Sequence, residues 1–153
     1  MVGPALVDVV DYVCFTGSTA TGRTVAQRAA ARLIGCSLEL GGKNGVYVAA
    51  DADLDRAAEA VVRDCFTGAG QLCVAMERVV LHHDIADAFL ARFLPRVEGL
   101  RMGTALDYST DLGCLISEAQ LRRVQAHVDD AVARGARVLT GGAARTDIGP
   151  LFY

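Results

Sequence analysis

Apolar positions along the chain follow two alternating rhythms, one of period two and one of helical period. Tyr12-Val13-Cys14-Phe15-Thr16 follows Asp11 as a run of aromatic and β-branched residues and stops at Gly17, which predicts a short buried strand over 11–16. A helix is predicted over 19–33, with Val25, Ala26, Ala29 and Leu33 along one face. Ser37-Leu38-Glu39-Leu40 reads as a second strand, ended by Gly41-Gly42, and Val46-Tyr47-Val48-Ala49 as a third. Leu54, Ala57, Ala58, Val61, Val62, Cys65 and Phe66 then recur at helical spacing, which puts one apolar stripe against a core. Beyond a glycine-containing loop at 68–73, a strand is predicted over 78–82. Ile85, Ala88, Phe89 and Phe93 mark another amphipathic helix, which Pro95 is expected to end or kink. Ser117 and Gln120 fit a capping box that opens a long helix buried through Leu121, Val124, Val128 and Val132. A last strand is predicted over 137–140. Strands alternating with helices predict an α/β fold with mainly parallel pairing.

Composition narrows the function classes. The 153 residues suit one ordinary domain, and 52% of them are apolar, which excludes a disordered chain. The net charge of -3 comes from interspersed charges of both signs, so no nucleic-acid partner is expected. No apolar run reaches the ~20 residues that span a bilayer, and Met1-Val2-Gly3-Pro4 lacks the regions of a signal peptide. Neither a membrane partner nor export is expected, and the cytoplasm is the expected location. The five cysteines, Cys14, Cys36, Cys65, Cys73 and Cys114, form no CxxC pair, so no metal site is expected. In a reducing cytosol they remain free thiols. No repeat, low-complexity segment or linker divides the chain, and both of its ends look cut.

Three motifs could carry chemistry. Gly17-Ser18-Thr19-Ala20-Thr21-Gly22 lies between a strand and a helix, where free amides favour a phosphate. It lacks GxGxxG and approaches a P-loop, but Arg23-Thr24 stands where Lys-Ser/Thr belongs, and a plain strand-to-helix turn explains the glycines equally well. Glu39, at an apolar strand end before Gly41-Gly42, would suit a general base if desolvated, against the simpler reading of an exposed strand-end glutamate. Cys73 in Gly70-Gln71-Leu72-Cys73 sits on a glycine loop that could present a thiol into a cleft. Buried free cysteine is the alternative, and Cys65, Cys14 and Cys36 fit it. His82 and His83 are adjacent on a predicted strand, which sends them to opposite faces and argues against one shared site. His127 lies within a helix.

Taken in order, Phe15-Thr16-Gly17-Ser18-Thr19, Leu38-Glu39-Leu40-Gly41-Gly42-Lys43 and Gly70-Gln71-Leu72-Cys73 resemble the aldehyde dehydrogenase superfamily over essentially the whole chain. Gly17 to Arg23, Ile34-Gly35-Cys36-Ser37 and Gln71-Leu72-Cys73 look most like the bacterial succinate-semialdehyde dehydrogenases. The resemblance implies a central fragment, truncated at both ends. Residues 1–38 would form the end of a Rossmann-like NAD(P)-binding domain, and 39–153 most of a parallel α/β catalytic domain.

Further implications concern the site. Cys73 would be the nucleophile that forms a thiohemiacetal and then a thioester, its own amide helping to hold the oxyanion, and Glu39 would activate the hydrolytic water. Gly17, Ser18 and Gly22 would hold the phosphate of NAD or NADP, with Leu40 and Gly41 beside the nicotinamide. The substrate would be a small-molecule aldehyde, and the parent enzyme a homo-oligomer. The family's upstream oxyanion asparagine and ribose-binding lysine, and its downstream Glu-x-Phe-Gly-Pro element, fall outside these residues, so the isolated chain is expected to be inactive. Gly68 stands where the family usually has Asn, and is expected to loosen the loop; Gly45 stands where Pro is common. Two alternatives remain at this point. One is a P-loop-like nucleotide-binding module using Gly17 to Thr24 with Asp51. The other is a non-catalytic remnant of an aldehyde dehydrogenase.

Overall fold

The two rhythms fold into two successive strand–helix–strand arrangements in the computed structural model, which describes residues 2–153. The chain divides into two units, one ending at Lys43 and the other spanning Asn44–Tyr153. Glu39 lies in the first of these units.

In the first unit a short helix α1 (Val2–Val7) precedes β1 (Tyr12–Gly17), α2 (Thr19–Ala31) and β2 (Gly35–Leu40). The strands pair in parallel from Tyr12 opposite Gly35 to Gly17 opposite Leu40. Periodicity did not mark α1, whose Pro4 sits in the first turn, where a missing N–H costs nothing. Asp8, just after it, forms two hydrogen bonds with Arg28 of α2, at 3.2 and 2.6 Å. The Arg32 guanidinium donates to the carbonyls of Val7 and Val10.

The helix stops at Ala31, before the expected Leu33. Ile34 N–H bonds the carbonyl of Ala29 and Leu33 N–H that of Ala30, a closing motif that forces Leu33 to φ 57° and leaves it 95% exposed. Leu33 therefore leaves the apolar face to which its spacing assigned it. Cys14 is also exposed, not buried: along β1 the half-buried side chains are Val13 and Phe15.

The second unit contains β3 (Asn44–Val48), α3 (Leu54–Phe66), β4 (Met76–Leu81), α4 (Ala86–Glu98) and α5 (Glu118–Ala133). β3 and β4 pair in parallel, with a register shift between Asn44 and Gly45. Asp53 caps α3 by accepting from the amides of Asp55 and Arg56. The stripe of α3 faces the core as predicted: Ala58 and Val61 pack with Val48, Ile85 and Phe89, and Cys65 lies at the edge of the same cluster. Burial pushes the Cys65 thiol up, which keeps it protonated and inert.

Four expectations in this unit are corrected. Pro95 does not end α4, which runs on to Glu98. Phe89 and Phe93 hold the helix against the core, and Arg92 and Arg96 both reach Asp55 on α3, so tertiary contacts outweigh the local defect. Ser117 caps α5 through Gln120 N–H, as predicted, but of its stripe only Leu121 is buried, while Val124 and Val128 are half-buried and Val132 is exposed. Residues 137–140 form no strand, because an extended segment becomes one only with a ladder partner, and Val138 and Leu139 lie about half exposed without one among the described residues. Finally, β4 ends at Leu81, and His82 and His83 enter a single 3₁₀ turn.

The segment between α4 and α5 is stapled by Arg101 and Asp111. The guanidinium donates to both carboxylate oxygens at 2.8 and 2.9 Å, and the Arg101 amide adds a third bond. These bonds hold the Asp111 carboxyl down at about 2 from an ordinary 3.8. A depressed carboxylate contributes stability that is complete above its unfolded value and is lost as pH falls through the folded one. The staple should therefore weaken between about pH 4 and pH 2. Carboxyl NMR titration should place Asp111 near 2 in the native chain and return it toward the ordinary range in Arg101→Met.

Candidate active site

The turn that carries Cys73 begins where α3 ends. Thr67 closes the helix with its hydroxyl on the Arg63 carbonyl. Gly68, Ala69 and Gly70 then take left-handed conformations in succession, with φ of 63°, 55° and 69°. Such a conformation costs an L-residue roughly 1–2 kcal/mol and glycine nothing. Gly68 thus adopts without strain a conformation that costs most other residues. Asn, the usual residue there in the family it resembles, is the other type that tolerates this region. Ala69 has no such exemption, so the turn stores backbone strain directly before the thiol, a frequent property of functional segments.

Cys73 sits in the next turn, closed by Ala75 N–H on the Leu72 carbonyl, and is exposed while Ala75 is buried. Two side-chain amides fix this stretch from outside. Asn44, at the start of β3, donates to the carbonyl of Cys73 at 2.7 Å and to that of Ala75 at 3.0 Å. Gln71 donates to the carbonyls of Gly68 at 3.1 Å and Cys114 at 3.3 Å, and accepts from Ile116 N–H at 2.9 Å. Neither residue was singled out from the sequence, because each acts in part through bonds to positions 29 to 45 residues away. Behind the turn lies a largely apolar cavity of about 250 Å³, walled in part by Cys65, Gly70, Leu115, Val124 and Tyr153. Cys73 does not line it.

The other site residues lie in the first unit. Ser18 caps α2, its hydroxyl accepting from Thr21 N–H at 3.2 Å, and Gly17, Thr19 and Ala20 beside it are exposed. A capped, solvent-facing helix start fits a phosphate group. It does not fit a P-loop, because the helix already begins at Thr19 and Gly22 N–H bonds the Ser18 carbonyl inside its first turn. Gly22 and Leu40 are brought together as a packing pair. A Cβ at Gly22 would stand 2.6 Å from Leu40 Cδ2, so the missing side chain is what lets β2 and α2 approach. Gly41 is exposed, with open space where a side chain would be. Glu39, opposite Thr16 on β1, is exposed as well, so within this unit burial does not desolvate its carboxylate. Asp51, the acid of the P-loop alternative, is an exposed turn residue.

His82 and His83, expected on opposite faces, are instead together. The strand ends one residue before them, and their rings lie 4.5 Å apart with ligand atoms within 4.8 Å of one another and of Asp84. The His82 ring accepts from Asp84 N–H and so caps the 3₁₀ turn.

The chain thus presents an exposed thiol after a strained turn, within two parallel strand–helix–strand arrangements. The aldehyde dehydrogenase family model matches residues 2–152, and the chain belongs to that family. It is 55% identical over all 153 residues to a Mycobacterium tuberculosis protein named putative succinate-semialdehyde dehydrogenase (NADP(+)) 2. Among solved structures it resembles an NADP-dependent enzyme of E. coli, with a TM-score of 0.94 and 37% identity over 99% of this chain. It likewise resembles an NAD-dependent aldehyde dehydrogenase from Sinorhizobium meliloti, with a TM-score of 0.94 and 35% identity over 99% of this chain. The chain spans 30% of the mycobacterial relative, and 32% and 30% of the two structures.

Proposed function

We propose that this chain is the thiol-bearing part of an NAD(P)-dependent enzyme that oxidises an aldehyde to its carboxylic acid. The observation that carries the reading is Cys73, solvent-exposed on a turn whose carbonyl is held by Asn44 and whose approach is a run of left-handed residues. The Cys73 thiolate attacks the aldehyde carbon, forming a carbon–sulfur bond and a thiohemiacetal oxyanion that the Cys73 amide helps to hold. When bound, NAD or NADP supplies the acceptor for the hydride whose loss turns that adduct into a thioester. Gly17 and Ser18, at the capped start of α2, are the residues that would take its phosphate, and Gly41 leaves room for its nicotinamide. Glu39 removes a proton from the water that attacks the thioester, releasing the acid and returning the thiolate.

Succinate semialdehyde is the proposed substrate, by the name of the mycobacterial relative, and the parent enzyme is proposed to be a homo-oligomer. The test is competitive alkylation of the chain with limiting iodoacetamide near neutral pH, read by peptide mass spectrometry. Cys73 should label faster than Cys14 and Cys114, which are also exposed. Equal labelling of the three would favour a non-catalytic remnant instead.

A further inference from the structure

We propose that Asn44 and Gln71 are positioning residues for Cys73: Asn44 holds the Cys73 carbonyl itself, Gln71 ties the preceding turn to Cys114 and Ile116, and neither acts by touching the substrate. The inference rests on the reading of Cys73 as nucleophile and adds what aims it. Both amide hydrogens of Asn44 are committed, one to the carbonyl of Cys73 itself and one to that of Ala75, two residues on. Asn44 stands at the register shift of the β3–β4 pair, where the ladder is interrupted and its side chain takes over the link to the turn. Gln71 uses both ends of its amide. Its nitrogen joins Gly68 to Cys114, and its oxygen takes the amide of Ile116, so a side chain imitates a strand partner. The segment between these anchors, Leu72-Cys73-Val74, is exposed along its whole length. Packing does not hold it, and polar anchors are the restraint left to fix where the thiol points. A nucleophile displaced by about 1 Å can lose on the order of a hundredfold in rate, so two anchors on an otherwise free turn have a large lever.

The experiment compares the chain with Asn44→Ala, Asn44→Asp, Gln71→Ala and Gln71→Glu. It reads the iodoacetamide rate of Cys73 relative to Cys14, which lies in the other unit, across a pH series. It also follows amide hydrogen exchange of residues 72–76 against residues 57–62 of α3. A positioning role predicts that both alanine variants lower the Cys73-to-Cys14 ratio by about tenfold and change its pH profile. Exchange should rise at 72–76 and stay unchanged in α3. Asn44→Asp keeps the shape but loses both donors, so it should be as impaired as Asn44→Ala, whereas a space-filling role would leave it normal. Gln71→Glu keeps the acceptor for Ile116 and should fall between wild type and Gln71→Ala.

Labelling and exchange within twofold of wild type in both alanine variants would overturn the proposal. So would loss of α3 protection in both, which would make the two residues structural. If wild-type Cys73 labels no faster than Cys14, the nucleophile reading fails, and the exchange arm still decides whether the anchors hold the turn.

Discussion

Phe89→Ala should destabilise the second unit by about 3–5 kcal/mol, the largest effect expected of any single core truncation here. Phe89 is 1% exposed and is the largest side chain buried to that degree among the described residues. It belongs to one buried cluster with Val48 from β3, Ala58 and Val61 from α3 and Ile85 before α4, and its ring lies 5.4 Å from that of Phe93. Truncation removes the transfer energy of the ring, roughly 1.5–3 kcal/mol, and adds the cost of a cavity whose walls are tied to two strands and two helices. Urea unfolding followed by circular dichroism should show the midpoint fall by roughly 1–3 M for a chain of this size. Leu106→Ala is the matched control: Leu106 is 99% exposed, and its loss should stay within about 0.5 kcal/mol. A Phe89→Ala cost below about 1 kcal/mol would show that the core is not packed as described.

No reduced nicotinamide should form when the purified 153-residue chain is given NAD or NADP with succinate semialdehyde, even as Cys73 remains open to alkylation. The chain spans 30% of the mycobacterial relative, and an aldehyde enzyme must hold substrate, cofactor and thiol at once. Holding reacting groups in place is worth roughly 7–11 kcal/mol of a barrier, or about five to eight powers of ten in rate. A chain that does not hold all of these groups in place forgoes most of that. Absorbance of the reduced cofactor measures the result directly, and turnover above the rate of a Cys73→Ala chain would refute it. The two measurements separate reactivity from catalysis: a thiol can be exposed and poised without the rest of the site.

How much was legible in the sequence depended on the range of the interaction. The α3 stripe from Leu54 to Phe66 was readable because its period is a property of thirteen consecutive residues. The Ser117 cap was readable for the same reason, since its partner is three residues on. Parallel strand pairing followed from the strand–helix–strand order alone.

Where local rules failed, a distant or backbone effect had overridden them. Pro95 was expected to end or kink α4; it does not end it, and Asp55, some forty residues earlier, holds Arg92 and Arg96 along the helix. Leu33 matched the helical spacing yet became the left-handed residue that closes the helix. His82 and His83 were assigned opposite faces by a strand that ends one residue before them. At the site, Cys73 was conspicuous through its glycine loop, whereas the anchors were silent: nothing adjacent to Asn44 hints at a carbonyl 29 residues away. Glu39, at the end of an apolar run in the sequence, is exposed on β2, because an apolar neighbourhood in sequence is not a buried one in space.

The bonds from Gln71 to Cys114 and Ile116 also set an order of events during synthesis. The first unit pairs strands about twenty residues apart, so its closure is local and early. Cys73 itself emerges from the ribosome well before the segment that its turn is pinned to. At about 5–20 residues per second, the forty-odd intervening residues take roughly 2–9 seconds to appear. Through that interval the nascent thiol is already exposed while its turn is held at most from the Asn44 side. The last anchor arrives only with Ile116, so the turn that carries Cys73 is completed among the late steps in the biogenesis of this segment.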